Sequence, residues 1–290
     1  MDSILQLKNV TKTYPNARFQ LKDVSFSIPY GSIVGFIGEN GAGKTTTMGT
    51  IIGTLKKDQG TIHVFGQNLA ENELEIKERI GVVFDEMNFS HHLNALQLSS
   101  VFRNVYKKWD EEKYLQYLQL FSLPKRENVG GFSRGMSMKL SIAVALSHDA
   151  NLLILDEATA GLDPVARDEM IEIFENYVKD GQRTILLSSH ITSDIEKIAN
   201  ELIFIKNGEI LLHINKETMM EHYAIITCDE EQFNQFDKRV IVSYLKKADK
   251  MEVLISNKQS IPCSVQLKTG TLDEMTLLLM KGEQHEGTHS

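Results

Sequence analysis

The sequence predicts an α/β fold that is built on a buried sheet. A glycine-rich loop at residues 38–46 lies between an apolar run typical of a buried strand and a segment typical of a helix. Further apolar runs alternate with segments of helical periodicity. Two of these runs end in acidic residues, at Asp85 and at Asp156. Nucleotide sites form at such strand ends in doubly wound sheets.

The residues before the glycine-rich loop predict an antiparallel β region. Apolar and polar side chains alternate over residues 4–10, and residues 19–28 continue the pattern after a turn. Tyr14 lies in that turn. Its ring could stack on an adenine, or it could pack at the edge of the sheet, and its position leaves both interpretations open.

The loop at residues 38–46 fits a phosphate-binding pattern in which two separated glycines precede Lys and Thr. Glycines allow backbone N–H groups to approach phosphate oxygens, and the N-terminus of the following helix favours anions. Lys44 can place a positive charge on the β- and γ-phosphates, and the Thr45 hydroxyl can ligate Mg²⁺. The candidate nucleotide-binding residues are Asn40, Gly41, Gly43, Lys44, Thr45 and Thr46. The loop leaves kinase, GTPase and transport ATPase open as alternatives.

A mainly helical region is predicted for residues from about 90 to 146. Apolar residues recur at helical spacing between residues 93 and 109, and again between residues 114 and 121. We interpret their aromatic rings as core. A second glycine-rich turn at residues 130–135 precedes another helix, for which Ser133 can serve as the N-cap.

Three reactive side chains follow apolar strands at residues 152–155 and 184–189. Asp156 ends the first strand, where it can hold Mg²⁺ directly or through water. Glu157 comes next and can orient or deprotonate an attacking water. His190 follows the second strand and can reach the γ-phosphate or its water. Together with the glycine-rich loop, these residues predict hydrolysis of a nucleotide.

The composition of the chain changes near residue 217. Before that point, a hairpin is predicted with a turn at Asn207-Gly208. The later segments predicted as strands are 224–228, 240–245 and 251–255, with a short helix at 272–280 and an unstructured polar tail at 283–290. We therefore divide the chain into a first unit, residues 1–216, and a small α+β extension, residues 217–290.

Composition favours a soluble globular protein over nucleic-acid-binding and membrane-spanning classes. The 290 residues are 42% hydrophobic and 24% charged, as in soluble globular proteins. A net charge of -8 argues against a general nucleic-acid or anionic-membrane surface. No apolar run could span a bilayer, and the N-terminus lacks the pattern of a signal peptide. Cys228 and Cys263 lack metal-ligand spacing and are expected to be ordinary thiols. We expect a cytosolic protein whose membrane contacts come through a partner.

The order of the motifs resembles the ATP-binding subunit of ATP-binding cassette (ABC) transporters over residues 4 to about 215. The motifs that carry the resemblance are Tyr14, the loop at 38–46, Phe84-Asp85, Phe132-Ser133-Arg134-Gly135-Met136, Leu155-Asp156-Glu157, Ala160-Gly161-Leu162-Asp163 and Ser188-Ser189-His190. The resemblance implies a P-loop NTPase of the ABC type, with a RecA-like core sheet, an N-terminal antiparallel β region and a helical subdomain at about residues 90–146.

The resemblance also implies roles in binding and hydrolysing ATP with Mg²⁺. The residues implied to be catalytic are Lys44, Glu157 and His190. The residues implied to hold the metal are Thr45, Asp85 and Asp156. Tyr14 would contact the nucleotide together with the loop residues.

In such proteins two cassettes face each other head to tail around two ATP molecules. Ser133 and Gly135 of one subunit would cap the γ-phosphate held by the other, and Asp163 would help to link the two sites. Hydrolysis would reopen the dimer and move the helices of a separate membrane permease. The loop that starts at Asp85 and runs to about His92 would contact that permease. The resemblance thus implies a cytoplasmic protein held at the inner face of the membrane, without a nucleic-acid partner.

Two departures from the family pattern indicate which group within the family the sequence resembles. Asp85 replaces a Gln, so it offers an oxygen but is shorter and charged. Arg134 replaces a Gly and Met136 a Gln. Arg134 could add positive charge near the γ-phosphate or could face solvent. Both departures resemble single-cassette ABC-2-type exporters of peptides, antibiotics or polysaccharides, which often carry a C-terminal extension. Peptide exporters, including the phenol-soluble modulin and bacitracin-resistance groups, are the most similar.

Two other functions remain as alternatives. One is a non-transport ABC protein that acts on ribosomes or DNA, but the chain has neither the second cassette nor the long coiled coil usual in those classes. The other is a regulatory subunit that binds ATP and hydrolyses it weakly. Asp85 and the altered turn favour this alternative, whereas Lys44, Glu157 and His190 oppose it.

Overall fold

The computed structural model describes residues 3–15, 19–85, 89–189, 192–247, 250–261, 265 and 267–284. The strands in these ranges are β1 (Ser3–Thr13), β2 (Gln20–Pro29), β3 (Ile33–Ile37), β4 (Gln59–Val64), β5 (Gln67–Asn68), β6 (Ile80–Val83), β7 (Leu152–Asp156), β8 (Thr184–Ser188), β9 (Glu201–Lys206), β10 (Glu209–Asn215), β11 (Ala224–Cys228), β12 (Ile241–Lys247), β13 (Lys250–Ile255), β14 (Leu267–Lys268) and β15 (Glu283–Gln284). The α-helices are α1 (Lys44–Ile52), α2 (Glu73–Lys77), α3 (Ala95–Val105), α4 (Glu111–Leu120), α5 (Arg134–Leu146), α6 (Pro164–Val178), α7 (Thr192–Ile198), α8 (Lys216–His222), α9 (Glu230–Gln235) and α10 (Leu272–Lys281). Across these residues, none of the helices is both long enough and apolar enough to cross a bilayer.

A six-stranded sheet in the order β10-β9-β3-β8-β7-β6 forms the centre of the first unit. All pairs are parallel except β9 with β10, which form the predicted hairpin with positive φ angles at Asn207 and Gly208. Every residue of β3, β7 and β8 is buried, as expected of parallel strands covered on both faces. The predicted α/β class and the antiparallel N-terminal region, β2-β1-β4-β5, are confirmed.

Helices α3 to α5 form the region predicted to be helical. Helix α3 begins with a capping box at Asn94 and ends at Val105, so the predicted continuation to Trp109 is wrong. Instead, the Trp109 indole donates a hydrogen bond to Ser99 Oγ at 3.1 Å. Tyr114 is fully buried and donates to the Ala95 carbonyl at 3.0 Å, which confirms its interpretation as core.

The extension forms a five-stranded antiparallel sheet in the order β14-β11-β13-β12-β15. One hydrophobic cluster joins Leu272 and Leu278 of α10 to Ile37 and Phe204 of the first unit, so the extension packs directly on that unit. The polar tail was predicted to be unstructured from residue 283, but Glu283 and Gln284 pair with β12. Here the Tyr244 hydroxyl donates to the Glu283 carboxylate at 2.6 Å, a pairing that the local sequence does not indicate.

The two cysteines were predicted to be ordinary thiols without metal-ligand spacing. Cys228 is buried and free, whereas Cys263 lies outside the described residues. Burial raises the pKa of the Cys228 thiol, which lowers the fraction of the reactive thiolate at neutral pH. Cys228 therefore contributes to packing.

A buried histidine is expected to make the stability of the protein depend on pH. His148 is 1% exposed and stacks on Tyr106 at 3.8 Å between ring centroids. Burial lowers the pKa of His148 to about 4. Folding therefore disfavours the protonated ring, and stability is lost as pH falls below the unfolded-state pKa of roughly 6.5. Between pH 7 and pH 5 this group should remove about 2 kcal/mol from the free energy of unfolding.

Urea unfolding of the wild type and of His148→Gln at both pH values tests this expectation. The substitution should remove about 2 kcal/mol of the pH dependence, because Gln does not titrate. The same pH dependence in both proteins would show that His148 does not cause it.

Candidate active site

The predicted phosphate loop joins β3 to α1, and its backbone requires glycine at Gly43. This residue is the N-cap of α1 and has a left-handed φ of 116°. A Cβ atom at this position would lie 2.9 Å from Leu21 Cδ2 and 3.1 Å from Phe19 Cζ. Side chains from the N-terminal β region therefore press against the loop, and only glycine allows its backbone to turn there.

The Lys44 side chain folds back onto the start of its own loop. Its side chain is 6% exposed, and its ammonium donates to the carbonyl oxygens of Gly38 at 2.7 Å and Glu39 at 3.3 Å. Burial lowers the pKa of Lys44, while the nearby carboxylates of Glu157 and Asp156 act in the opposite direction. The lysine thus supplies a positive charge beside the two acidic side chains.

The Asp156 carboxylate is fixed at both oxygens. Asp156 ends β7 and is 6% exposed. Thr45 Oγ1 donates to Oδ2 at 2.8 Å, and Ser188 Oγ donates to Oδ1 at 2.5 Å. A hydroxyl and a carboxylate in contact are oxygen donors of the kind that Mg²⁺ prefers. Within the described ranges no group of three or more His, Cys, Asp or Glu could hold a metal. Mg²⁺ is usually held by one or two carboxylates with substrate phosphates, which these residues fit.

These side chains border one open cleft of about 450 Å³. The residues that line it are Phe19, Asn40, Gly41, Gly43, Lys44, Thr45, Thr46, Asp85, Asp156 and Glu157. The structure therefore brings together all the predicted loop, metal and catalytic residues except His190, which lies outside the described residues. A cluster of backbone donors, one cation and three carboxylates can bind a nucleotide with its metal.

Sequence reasoning missed Phe19, which lines the cleft. Tyr14 is half-buried and does not line the cleft, and its ring centroid lies 6.5 Å from that of Phe19. Lys12 Nζ lies 5.6 Å from the Tyr14 centroid. Adenine stacking by Tyr14 remains a prediction. The only sequence signal for Phe19 is an aromatic residue just after the same turn.

The residues predicted to act on a second subunit lie at helix N-termini. Ser133 caps α5 by accepting a hydrogen bond from the Met136 N–H at 3.2 Å, as predicted. Gly135 lies in the first turn of that helix. Asp163 caps α6 and accepts from the N–H groups of Val165 and Ala166, both at 3.0 Å. These bonds lower the pKa of Asp163 and keep it charged. None of the three lines the cleft of its own subunit.

The two unusual residues, Asp85 and Arg134, form an ion pair with each other. The Arg134 side chain is 58% exposed, and its aliphatic part covers Gly161, where a Cβ atom would lie 3.0 Å from Arg134 Cδ. The sequence left open whether Arg134 lies near the γ-phosphate or faces solvent. The structure shows that Arg134 is partly exposed and contacts the carboxylate of Asp85, which lines the cleft of the same subunit.

The part of the chain that forms this cleft is similar to known proteins. The ABC transporter family model matches residues 21–160. The Bacitracin transport ATP-binding protein BcrA of Bacillus licheniformis is 36% identical over 217 residues, which cover 74% of this chain and 70% of the relative. The Lantibiotic transport ATP-binding protein SrtF of Streptococcus pyogenes is 35% identical over 211 residues, which cover 72% of this chain and 90% of the relative.

A solved ATP-binding subunit of an ABC transporter superposes with a TM-score of 0.69 and 26% identity, covering 76% of this chain and 93% of that one. The match therefore extends over nearly the whole of the solved subunit and leaves about a quarter of this chain unmatched. With relatives this similar over most of their length, the protein belongs to the ABC transporter family and is one of its ATP-binding, ATP-hydrolysing subunits.

Proposed function

We propose that the protein drives an exporter of peptides or other antimicrobial compounds by hydrolysing ATP with Mg²⁺ at a head-to-tail dimer. The observation that carries the hydrolysis is the contact of Thr45 with Asp156, beside Lys44 and Glu157, in one cleft. The transport names of the bacitracin and lantibiotic relatives support export of such compounds.

The residues of the cleft have separate roles in hydrolysis. Lys44 and the loop N–H groups bind the phosphates, and Thr45 with Asp156 would hold Mg²⁺. When bound, the ion neutralises charge on the phosphate oxygens. Asp85 lines the same cleft and is available to the metal once it leaves Arg134. Glu157 orients the attacking water and accepts its proton.

The second half of each site comes from another copy of this chain or from a homologous cassette. Ser133 and Asp163 are exposed and do not line their own cleft. The N-terminus of α5, with Ser133 as its cap, would therefore meet a phosphate held by the other subunit. Gly135 adds no side chain in that turn. The extension at 217–290 packs on the first unit and serves assembly or regulation.

The permease binds at a second cleft, of about 460 Å³, between the loop after β6 and the start of α5. Its lining includes Asp85, His91, Phe132 and Arg134. Residues 86–88 of the loop lie outside the described ranges. This cleft joins the nucleotide site to the helical region, so a permease segment bound there would respond to ATP. The protein would thereby be held at the cytoplasmic face of the membrane.

A photo-crosslinking amino acid at His91 tests the proposed function in cells. His91 is exposed at this second cleft, and we expect crosslinks to a membrane protein with several apolar spans. Leu120, which is 61% exposed on α4 and lines neither cleft, is the matched control and should give none. Loss of the crosslinked permease should raise sensitivity to the exported compound. Absence of any crosslink from His91 to a membrane protein would contradict transport.

A further inference from the structure

The last residue of strand β8, Ser188, is a buried polar residue to which the proposed function assigns no role. It is 0% exposed and lies opposite Asp156 in the parallel pairing of β8 with β7. Between it and Thr184 at the other end, β8 consists of apolar residues. A hydroxyl in this position must find partners, because an unpaired buried hydroxyl costs about 1–3 kcal/mol.

The Ser188 hydroxyl contacts two consecutive residues of the candidate active site, Asp156 and Glu157. Its Oγ donates to Asp156 Oδ1 at 2.5 Å. The Glu157 N–H donates to Ser188 Oγ at 3.2 Å and to the Ser188 carbonyl at 3.2 Å. Because Thr45 already donates to Oδ2, Ser188 determines the remaining rotation of the Asp156 carboxylate.

Glu157 has a backbone conformation that needs such support. Its φ of 56° is in the left-handed region, which is uncommon for residues other than glycine. A conformation of this kind costs on the order of 1–3 kcal/mol and persists where surrounding contacts fix it. The described hydrogen bonds of the Glu157 N–H both lead to Ser188.

We infer that Ser188 is a positioning residue for hydrolysis. Its hydroxyl holds the carboxylate that would bind Mg²⁺ and accepts one of the two hydrogen bonds from the backbone N–H of Glu157, the proposed base. This inference rests on the proposed roles of Asp156 and Glu157. Partners that orient a metal ligand typically change metal affinity or activity by about 10-fold to 100-fold when removed.

Three variants of the full-length protein separate positioning from a purely structural effect. Ser188→Ala removes the hydroxyl, and Ser188→Cys keeps the volume with a weaker donor. Thr184→Val is the matched control, because Thr184 is also 0% exposed on β8 but donates to the Pro29 carbonyl at 3.2 Å, away from the cleft. The readouts are kcat and KM for ATP, the thermal midpoint, and Mn²⁺ binding by electron paramagnetic resonance with a non-hydrolysable ATP analogue.

Ser188→Ala should lower kcat and weaken Mn²⁺ binding, each by about 10-fold or more, while KM changes less than about 3-fold. Ser188→Cys should fall between the wild type and Ser188→Ala. Thr184→Val should lower the thermal midpoint but keep kcat and Mn²⁺ binding. Equal losses in Ser188→Ala and Thr184→Val, or Mn²⁺ binding and kcat unchanged in Ser188→Ala, would overturn the inference. If Ser188→Ala does not fold, the Ser188→Cys readouts decide. A wild type without Mg²⁺-dependent hydrolysis would instead refute the proposed function.

Discussion

Glu157→Gln is expected to lower the turnover number for ATP by on the order of 100-fold or more while ATP affinity stays within a few-fold. A positioned general base contributes about 10²–10⁴-fold, and Gln cannot accept the proton of an attacking water. Glu157 lines the nucleotide cleft next to Asp156, whereas phosphate binding depends on Lys44 and the loop. Steady-state phosphate release and equilibrium binding of a fluorescent ATP analogue measure the two quantities.

Binding without hydrolysis should also trap the ATP-bound dimer. Light scattering of Glu157→Gln with Mg²⁺ and ATP should therefore report twice the mass of the monomer. Glu175→Gln, an exposed position on α6, is the control and should hydrolyse ATP like the wild type. Turnover close to normal in Glu157→Gln would remove Glu157 from the catalytic role.

Gly208→Ala is expected to destabilise the whole protein by about 3 kcal/mol or more, because overpacking and left-handed strain add. Gly208 has a φ of 79°, and a Cβ atom there would lie 1.9 Å from the backbone oxygen of Gln20. Its N–H donates to the Ala42 carbonyl at 2.9 Å, and its own carbonyl accepts from the Lys22 N–H at 2.9 Å. The hairpin turn thus supports the phosphate loop, so ATP binding should weaken together with stability.

Gly66→Ala separates the clash from the strain. Gly66 has a similar φ of 76°, but its Cβ position has no atom within 4 Å. It should lose only about 1–2 kcal/mol for the left-handed conformation and keep ATP affinity. Urea unfolding of both variants, with and without ATP, measures the difference. Equal destabilisation by the two substitutions would show that the contact with Gln20 is unimportant.

The sequence was sufficient to predict features that depend on neighbouring residues. The glycine turn between β3 and α1, the strand that ends at Asp156 and the cap at Ser133 are each encoded within about ten residues, and each is confirmed as local structure. The Asn207-Gly208 turn was also predicted, but its contact with Ala42 was not. Hydrogen bonds between distant segments leave no mark on local periodicity.

Features that depend on packing were missed for the same reason. Phe19 reaches the nucleotide cleft because the N-terminal sheet folds over Gly43, and no pattern around residue 19 reports that distance. Strand β15 has two residues, too few for a period-two pattern, and exists because β12 offers an edge for pairing. Ser188 was read only as part of a motif, since its burial against Asp156 becomes visible in the register of two strands.

The ion pair between Asp85 and Arg134 means that the two departures from the family pattern act as one exchange. Changing Asp85 alone to Gln would leave the arginine without its carboxylate, and changing Arg134 alone to Gly would leave an unpaired negative charge at the cleft that Asp85 lines. Only the double change replaces a charged pair with a neutral one. Substitutions at these two positions should therefore occur together in related proteins. Both side chains are partly exposed, so the ion pair contributes less than about 1 kcal/mol to stability. The pair joins the sheet to the helical region and must break whenever these two parts move apart. Its small energy makes that separation easy.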